Sequence, residues 1–336
     1  MPRFAWELAR GCAAVPGAVA LLSLAQHAEI MPVPVAFSLA TYHGPISCVL
    51  RLVLWPFLLL RLLAALHRMR PDIAIGVHAG PLDPVMGLAL RLYRIPFRLI
   101  VHDATTHPGD RPSVMLAQNA TLALSAGAIV LCSHVEALLR AQGFARPILR
   151  SQHPPFAFAC QPPPPPRAHE GPLRVLCFGR LQSYKGLNLL ADAAQQLGPH
   201  ADMVLRVVGQ GAECADLARL RAVAWVTVEN RWVPEAELGA VFAWADAVVL
   251  PYTEASQSGV AAAAMASGRH LIATDVGGLA EQCGQYPHVR LCEPSGAALA
   301  RALCALRDTP DTNPPCCAAD TEIDWREMAA CLIAAI

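Results

Sequence analysis

Residues 246–268 read DAVVLPYTEASQSGVAAAAMASG. The opening DAVVLPY (246–252) is a short apolar run, rich in valine and closed by a proline region, which reads as a buried strand. A polar Ser-Gln-Ser-Gly step then enters a segment of little but alanine and methionine, residues that favour helix. A fully apolar strand feeding a helix through a glycine turn is the repeating unit of a parallel sheet covered on both faces. Such a turn lies at the carboxyl end of its strand, where open α/β sheets bind ligands. Its side chains offer little chemistry, so its backbone is the working part. The first N–H groups of a helix lack intrahelical partners and carry partial positive charge, which makes them an anion site. Gly259 admits a ligand to the backbone, Ser258 adds a hydroxyl and Val260 completes the turn. Taken alone, Ser258 reads more readily as an ordinary N-cap.

The same alternation runs through the chain. Strands are expected at 73–77, 98–103 and 126–133 in the first half. In the second half they are expected at 173–180, 203–211, 224–229, 246–252, 269–278 and 289–293, with helix-length segments between. CQPPPPPRAHEGP (160–172) contains five consecutive prolines, which neither a helix nor a central strand accommodates. The expected organisation is an α/β protein with two domains, 1–159 and 173–318, joined by the Pro-rich linker 160–172. The segment 319–336 is expected to be a helix packing back toward the N-terminal domain.

Composition narrows the function classes. The 336 residues are 54% hydrophobic and 15% charged with a formal net charge of +0. No global field favours nucleic acid, and none is expected as a partner. The 12 cysteines are scattered through apolar segments without a CxxC pair, which fits unpaired thiols in a reducing cytoplasm. Two segments read in two ways. The first 28 residues have early arginines and an apolar stretch like a secretory leader, but Glu7 and Pro16 interrupt that pattern. FAWELARGCAA (4–14) as a helix followed by AVALLSL (18–24) as a strand reads equally directly. CVLRLVLWPFLLLRLLAALHRMR (48–70) is strongly apolar with a basic end. Arg51, Pro56 and Arg61 leave no run of the roughly 20 apolar residues needed to cross a bilayer. It is either a helix packed on a sheet or an interfacial helix touching anionic lipid.

Glycine, basic and polar residues interrupt the apolar pattern at the expected strand ends: His102-Asp103, Arg180, Gly209-Gln210-Gly211, Pro251-Tyr252 with the following turn, and Gly277-Gly278. FGRLQSYKGLNLL (178–190) supplies Arg180 and Lys185 at a strand-to-helix turn. A planar fork and a compact point charge together make a clamp for a diphosphate.

LCFGRLQSYKGLNLLADAAQQL (176–197), LRVVGQGAE (205–213), DAVVLPYTEASQSGVAAAAMASGRHLIATDVGGLAE (246–281) and IDWREMA (323–329) together resemble the C-terminal domain of the family 4 retaining glycosyltransferases. The PYxEASQSGV subgroup, associated with bacterial surface polysaccharides, has the most similar motif. RPDIAIGVHAG, VHDATTHPGD, SAGAIVLCSHVEALL and SQHPPF resemble acceptor-domain segments of that family more thinly. The resemblance implies a GT-B fold, two Rossmann-like domains facing across a cleft, and a donor that is a UDP- or GDP-linked sugar. It further implies that Arg180 and Lys185 hold the donor pyrophosphate and act in catalysis with His102, which would lie near the acceptor hydroxyl. Gly209, Gly211, Glu254, Ser258, Gly259, Val260 and Glu281 are implied to bind the donor, and Asp103 and His107 to lie on the acceptor side. No cofactor or metal is implied, because the cationic clamp takes the metal's place. The acceptor is expected to be a saccharide or lipid-linked, with 48–70 in contact with the inner leaflet and the protein cytoplasmic or peripheral on that membrane face.

The chain departs from the family pattern at three places. Ala263 stands where the second of two glutamates commonly lies, and Ala255 where the first does, with Glu254 one residue away. The first strand and its glycine-rich loop are expected to be absent, since the chain opens in a helix. Arg269-His270-Leu271 replaces a Lys-Pro-Val. The first two departures leave room for a non-catalytic relative that binds a nucleotide or a partner, and a nucleotide-sugar epimerase of the same fold is a further rival.

Overall fold

The computed structural model describes residues 2–16, 22–23, 37–39, 42, 44–106, 112–156, 171–199, 202–284, 286–308 and 321–336. The chain divides into two compact units, one of 1–152 with 322–336 and one of 153–321. Residues 157–170, which hold the proline run, lie outside the described residues.

The first unit opens with α1 (Pro2–Ala13), β1 (Leu22–Ser23), β2 (Phe37–Ser38), α2 (Pro45–Val53) and α3 (Trp55–Met69). It continues with β3 (Ala74–Gly76), α4 (Asp83–Leu92), β4 (Phe97–Val101), α5 (Pro112–Leu124), β5 (Gly127–Val130), α6 (Ser133–Ala141) and β6 (Ile148–Arg150). Strands β3-β4-β5-β6 form a parallel sheet in that order, and β1 pairs with β2 in parallel. Of the strand expected at 18–24, Leu22–Ser23 is a strand and the rest lies outside the described residues. The segment expected as one helix over 48–70 is two helices, bent by 71°. Pro56 stands in the first turn of α3, where its missing N–H costs nothing, but it cannot continue the hydrogen-bond ladder of α2.

The second unit contains β7 (Leu173–Phe178), a 3₁₀ turn (Ser183–Lys185), α7 (Leu187–Leu197), β8 (Met203–Gly209), α8 (Ala215–Arg221) and β9 (Val226–Asn230). It continues with α9 (Glu235–Trp244), β10 (Ala247–Leu250), α10 (Gly259–Ala266), β11 (His270–Thr274), α11 (Leu279–Cys283), β12 (Val289–Cys292) and α12 (Gly296–Asp308). The chain ends in α13 (Thr321–Ala334), whose Trp325 packs edge-on against Phe4 of α1 with ring centroids 5.0 Å apart.

All six strands of the second unit are parallel, in the order β12-β11-β10-β7-β8-β9. Strand β10 is buried at every position. Val248 and Leu250 face one apolar layer and Val249 the other, so the run needs no alternation. Burying each such side chain contributes about 1.5–3 kcal/mol. The strand order reverses between β7 and β10, since β8 and β9 follow on one side and β11 and β12 on the other. That reversal opens a crevice at the carboxyl ends of β7 and β10, the point where a doubly wound sheet takes its ligand.

Most expected strands stop short at their C-terminal ends: 98–103 ends at Val101, 126–133 at Val130, 173–180 at Phe178 and 203–211 at Gly209. Past β4 and β5 the chain stays buried at His102, Leu131 and Cys132, whereas past β7 and β8 Arg180 and Gln210 are exposed. Strand β6 was not among the expected strands; it is a three-residue edge. Among the described residues every cysteine is a free thiol.

Candidate functional site

The crevice between β7 and β10 is built from two loops that grip each other. After β7, Gly186 adopts φ +69°, and a Cβ there would overlap the Pro251 carbonyl oxygen. Only glycine lets the loop press onto the end of β10 at this point. The contact is closed by Thr253, whose N–H and hydroxyl both donate to the Tyr184 carbonyl, at 2.9 and 3.3 Å. This delivers Lys185, the only lysine in a chain with 25 arginines, to the β10 end. Its ammonium lies 3.7 Å from the Tyr252 ring centroid and 5.1 Å from that of Tyr184. Arg180, exposed at the end of β7, donates to the Tyr184 hydroxyl at 2.8 Å. The two expected clamp cations therefore share one aromatic support.

The other wall is the start of α10. Ser258 is buried, and its hydroxyl accepts the Ala261 N–H at 3.2 Å and pairs with the Tyr252 hydroxyl at 3.2 Å. Burial pushes the Tyr252 phenol well above its ordinary range, so it stays protonated. Gln282 brackets the Ser258 backbone: its carbonyl oxygen accepts the Ser258 N–H at 2.7 Å, and its NH₂ donates to the Ser258 carbonyl at 2.9 Å. Ser258 is thus an N-cap as well as a member of the crevice wall. With the Ser258 and Ala261 amides engaged and Ala262 bonded to the Ser258 carbonyl, the first-turn amides left to an anion are those of Gly259 and Val260. Val260 is partly buried, and its methyl would touch a Cβ at Gly179.

Gly209 and Gly211 lie at the next strand end, and the neighbouring backbone explains both. A Cβ at Gly209 would strike the Gly179 carbonyl, and one at Gly211 the Leu181 carbonyl. Asn230 fastens this turn by accepting the Gly211 N–H and donating to its carbonyl, both at 3.0 Å. Glu254 is exposed in the loop after β10, and Glu281 is exposed at the start of α11. Sequence reasoning missed Gln282, the neighbour of Glu281, and missed Tyr184, and it placed Tyr252 at a strand end without giving it a role. The signal for Gln282 is chemical: an amide can both donate to and accept from one peptide unit, which a carboxylate cannot.

The acceptor-side expectations fall in the first unit. His102 follows β4 and is buried, and its Nε2 lies 3.1 Å from the Val77 carbonyl oxygen. A carbonyl only accepts, so Nε2 carries a proton. The His102 ring lies against His78 with centroids 4.7 Å apart, and Phe4 meets it edge-on at 4.7 Å. Asp103 is partly buried, and its carbonyl accepts from the Gln118 amide at 2.8 Å. His107 lies outside the described residues. Asp83, at the first position of α4, is a group the sequence reading passed over. Its carboxylate accepts the Gly80 N–H, and burial raises its pKa to about 6 against that bond.

Residues 172–309 match the family model described as glycosyl transferases group 1. Two curated relatives match part of the chain. One is a UDP-N-acetylglucosamine--N-acetylmuramyl-(pentapeptide) pyrophosphoryl-undecaprenol N-acetylglucosamine transferase of Methylobacterium nodulans. It is 29% identical over 163 residues, 48% of this chain and 41% of that one. The other, a 2-deoxystreptamine glucosyltransferase of Streptomyces kanamyceticus, is 31% identical over 137 residues, 39% of this chain and 35% of that one. The chain thus matches well under half the length of either relative. Among solved structures, a glycosyltransferase from Rickettsia africae superimposes with a TM-score of 0.67 at 15% identity, covering 98% of this chain and 89% of that one. The fold is the two-unit parallel-sheet α/β architecture of the GT-B class.

Proposed function

We propose that this protein is a retaining glycosyltransferase that moves a sugar from a UDP- or GDP-linked donor to an acceptor hydroxyl. The observation that carries the reading is the convergence, at the strand-order reversal, of Lys185, Arg180 and the amides of Gly259 and Val260. All four groups are positive and held in place by the surrounding fold, which suits a diphosphate whose charge grows as it leaves. Glu254, exposed in the loop after β10, and Glu281, exposed at the start of α11, take the ribose and sugar hydroxyls in this reading, and Gly209 and Gly211 shape the nucleotide's side. The sugar C1–O bond to the diphosphate breaks while a new C1–O bond to the acceptor forms on the same face. The acceptor proton passes to the departing phosphate oxygen. His102 works on the acceptor side together with Asp103 and His107. The clamp supplies the positive charge a metal would otherwise bring, so transfer is metal-independent. The acceptor is a saccharide or a lipid-linked saccharide in bacterial surface polysaccharide or glycolipid assembly, reached from the cytoplasmic face of the membrane.

Calorimetric titration with UDP, GDP and ADP tests the donor site. Micromolar binding of one nucleotide, weakened roughly 10- to 100-fold in Lys185→Ala, is expected, and binding by none of them would overturn the reading. Ala263, where the second of two glutamates commonly stands, favours a second reading: a non-catalytic relative. It predicts nucleotide binding with neither transfer nor donor hydrolysis. An epimerase would instead interconvert free nucleotide sugars with no acceptor present.

A further inference from the structure

The first unit carries an apolar face that its own core does not use. On α2 the exposed apolar side chains are Ile46, Val49, Leu50, Leu52 and Val53; all but Leu52 form a stripe at i, i+3, i+4, i+7 spacing. The stripe continues round the bend through Leu54 and Trp55 to Phe57 and Leu60 of α3. Ile46 is 88% exposed, Val53 70%, Phe57 67% and Leu60 63%. The opposite side of α3 is anchored, with Leu62 and Leu66 buried in the core beside Val85, Ala89 and Leu99. Farther along α3 the outward positions become Arg61, Ala64, His67 and Arg68, so the face passes from apolar to basic.

Charge selects the occupant. Between Glu29 and Asp72 the sequence has no acidic residue, whereas Arg51, Arg61, Arg68 and Arg70 all fall there. A cavity of about 160 Å³ lies under the bend, lined by Leu54, Phe57, Leu58 and Leu82 with Arg51 and Arg61. Among the described residues neither of these arginines has a hydrogen-bond or ion-pair partner. A second copy of this face would bring the same arginines together with no acid to pair them. No single described helix is long and apolar enough to cross a bilayer, and the 71° bend with one buried side holds the pair against its own unit.

We propose that the α2–α3 corner docks the protein onto an anionic phospholipid surface, with the α2 stripe, Phe57 and Leu60 entering the acyl boundary and Arg51 and Arg61 meeting lipid phosphates. Apolar burial and basic contacts act together in such interfacial helices. The inference rests on this face alone and stands whether or not the protein transfers a sugar.

Co-flotation with phosphatidylglycerol/phosphatidylcholine vesicles, set against phosphatidylcholine alone, tests it. Wild type is expected to float with the anionic vesicles and to release as salt rises. Arg51→Gln/Arg61→Gln is expected to weaken the partition by about 25-fold, roughly fivefold per arginine. Val53→Ser/Phe57→Ser is expected to abolish flotation while circular dichroism melting stays at the wild-type temperature. Brominated lipid is expected to quench tryptophan emission, and Trp55→Phe to remove most of that quenching. Absence of flotation, flotation indifferent to these substitutions, or a dimer that Val53→Ser/Phe57→Ser converts to monomer would each overturn the proposal.

Discussion

The Lys185 ammonium sits 3.7 Å from the centroid of the Tyr252 ring, and the Tyr252 hydroxyl pairs with the Ser258 hydroxyl. One aromatic ring therefore links the cation after β7 to the helix start after β10. Replacing Lys185 by alanine removes the cation–π contact, worth about 1–2 kcal/mol where it is partly desolvated. It also removes a charge-assisted contact to a bound diphosphate, worth about 1.5–3 kcal/mol. Nucleotide affinity is expected to fall by roughly 10- to 100-fold, with a small loss of thermal stability. Because Lys185 is the only lysine, an amine-acylating reagent marks one ε-amine in a peptide map. Bound nucleotide is expected to protect it, and labelling indifferent to nucleotide would place the anion elsewhere.

Gln282 holds both polar groups of the Ser258 peptide unit. Gln282→Ala is expected to cost about 1–3 kcal/mol of stability in the second unit, measured by chemical denaturation. Gln282→Glu keeps the acceptor for the Ser258 N–H but sets a carboxylate oxygen against the Ser258 carbonyl and adds a negative charge beside the anion site. It is therefore expected to weaken nucleotide binding more than the alanine variant does. Equal affinities in the two variants would separate Gln282 from the anion site.

The chain pattern made the donor-side architecture legible where apolar runs met glycine. DAVVLPY followed by SQSG gave β10, the turn and α10, because a fully buried strand needs no alternation and a helix start needs an open turn. Strand ends were overestimated where burial outlasts pairing: His102 is buried yet lies past the end of β4. Glu281 drew attention as a charge, whereas the group that grips Ser258 is the neutral Gln282, whose role depends on which way α11 turns. The break before Pro56 was legible as an interruption, but its 71° bend depends on how α3 seats in the core. Gly209 and Gly211 were read as room for a ligand, while the carbonyls of Gly179 and Leu181 already require them to be glycine.

Gly186 has no room for a side chain. Gly186→Ala forces a side chain into left-handed φ and into the Pro251 carbonyl, and the obstacle is backbone that cannot swing aside. The expected loss is about 3 kcal/mol or more by urea denaturation, accompanied by loss of nucleotide binding as Lys185 withdraws from Tyr252. A stability change below about 1 kcal/mol would mean that the two loops are not packed as described.

Two buried titratable groups give the units opposite responses to acid. In the first unit, burial raises Asp83 to about 6. Its folded form keeps a proton that the unfolded chain has lost, so stability contributed there is present below the ordinary carboxylate range and is lost as pH rises through about 6. In the second unit, burial lowers His153 to about 4. Its unfolded form binds a proton first as pH falls below the usual histidine range, so stability is lost between about 6.5 and 4. Each completed change is on the order of 3 kcal/mol. Differential scanning calorimetry from pH 7 to pH 4 is expected to show Asp83 supporting the first unit while His153 weakens the second. Asp83→Asn should flatten the first response and His153→Gln the second, each leaving the other unchanged. Transitions that respond to neither substitution would mean that other groups set the acid sensitivity of this protein.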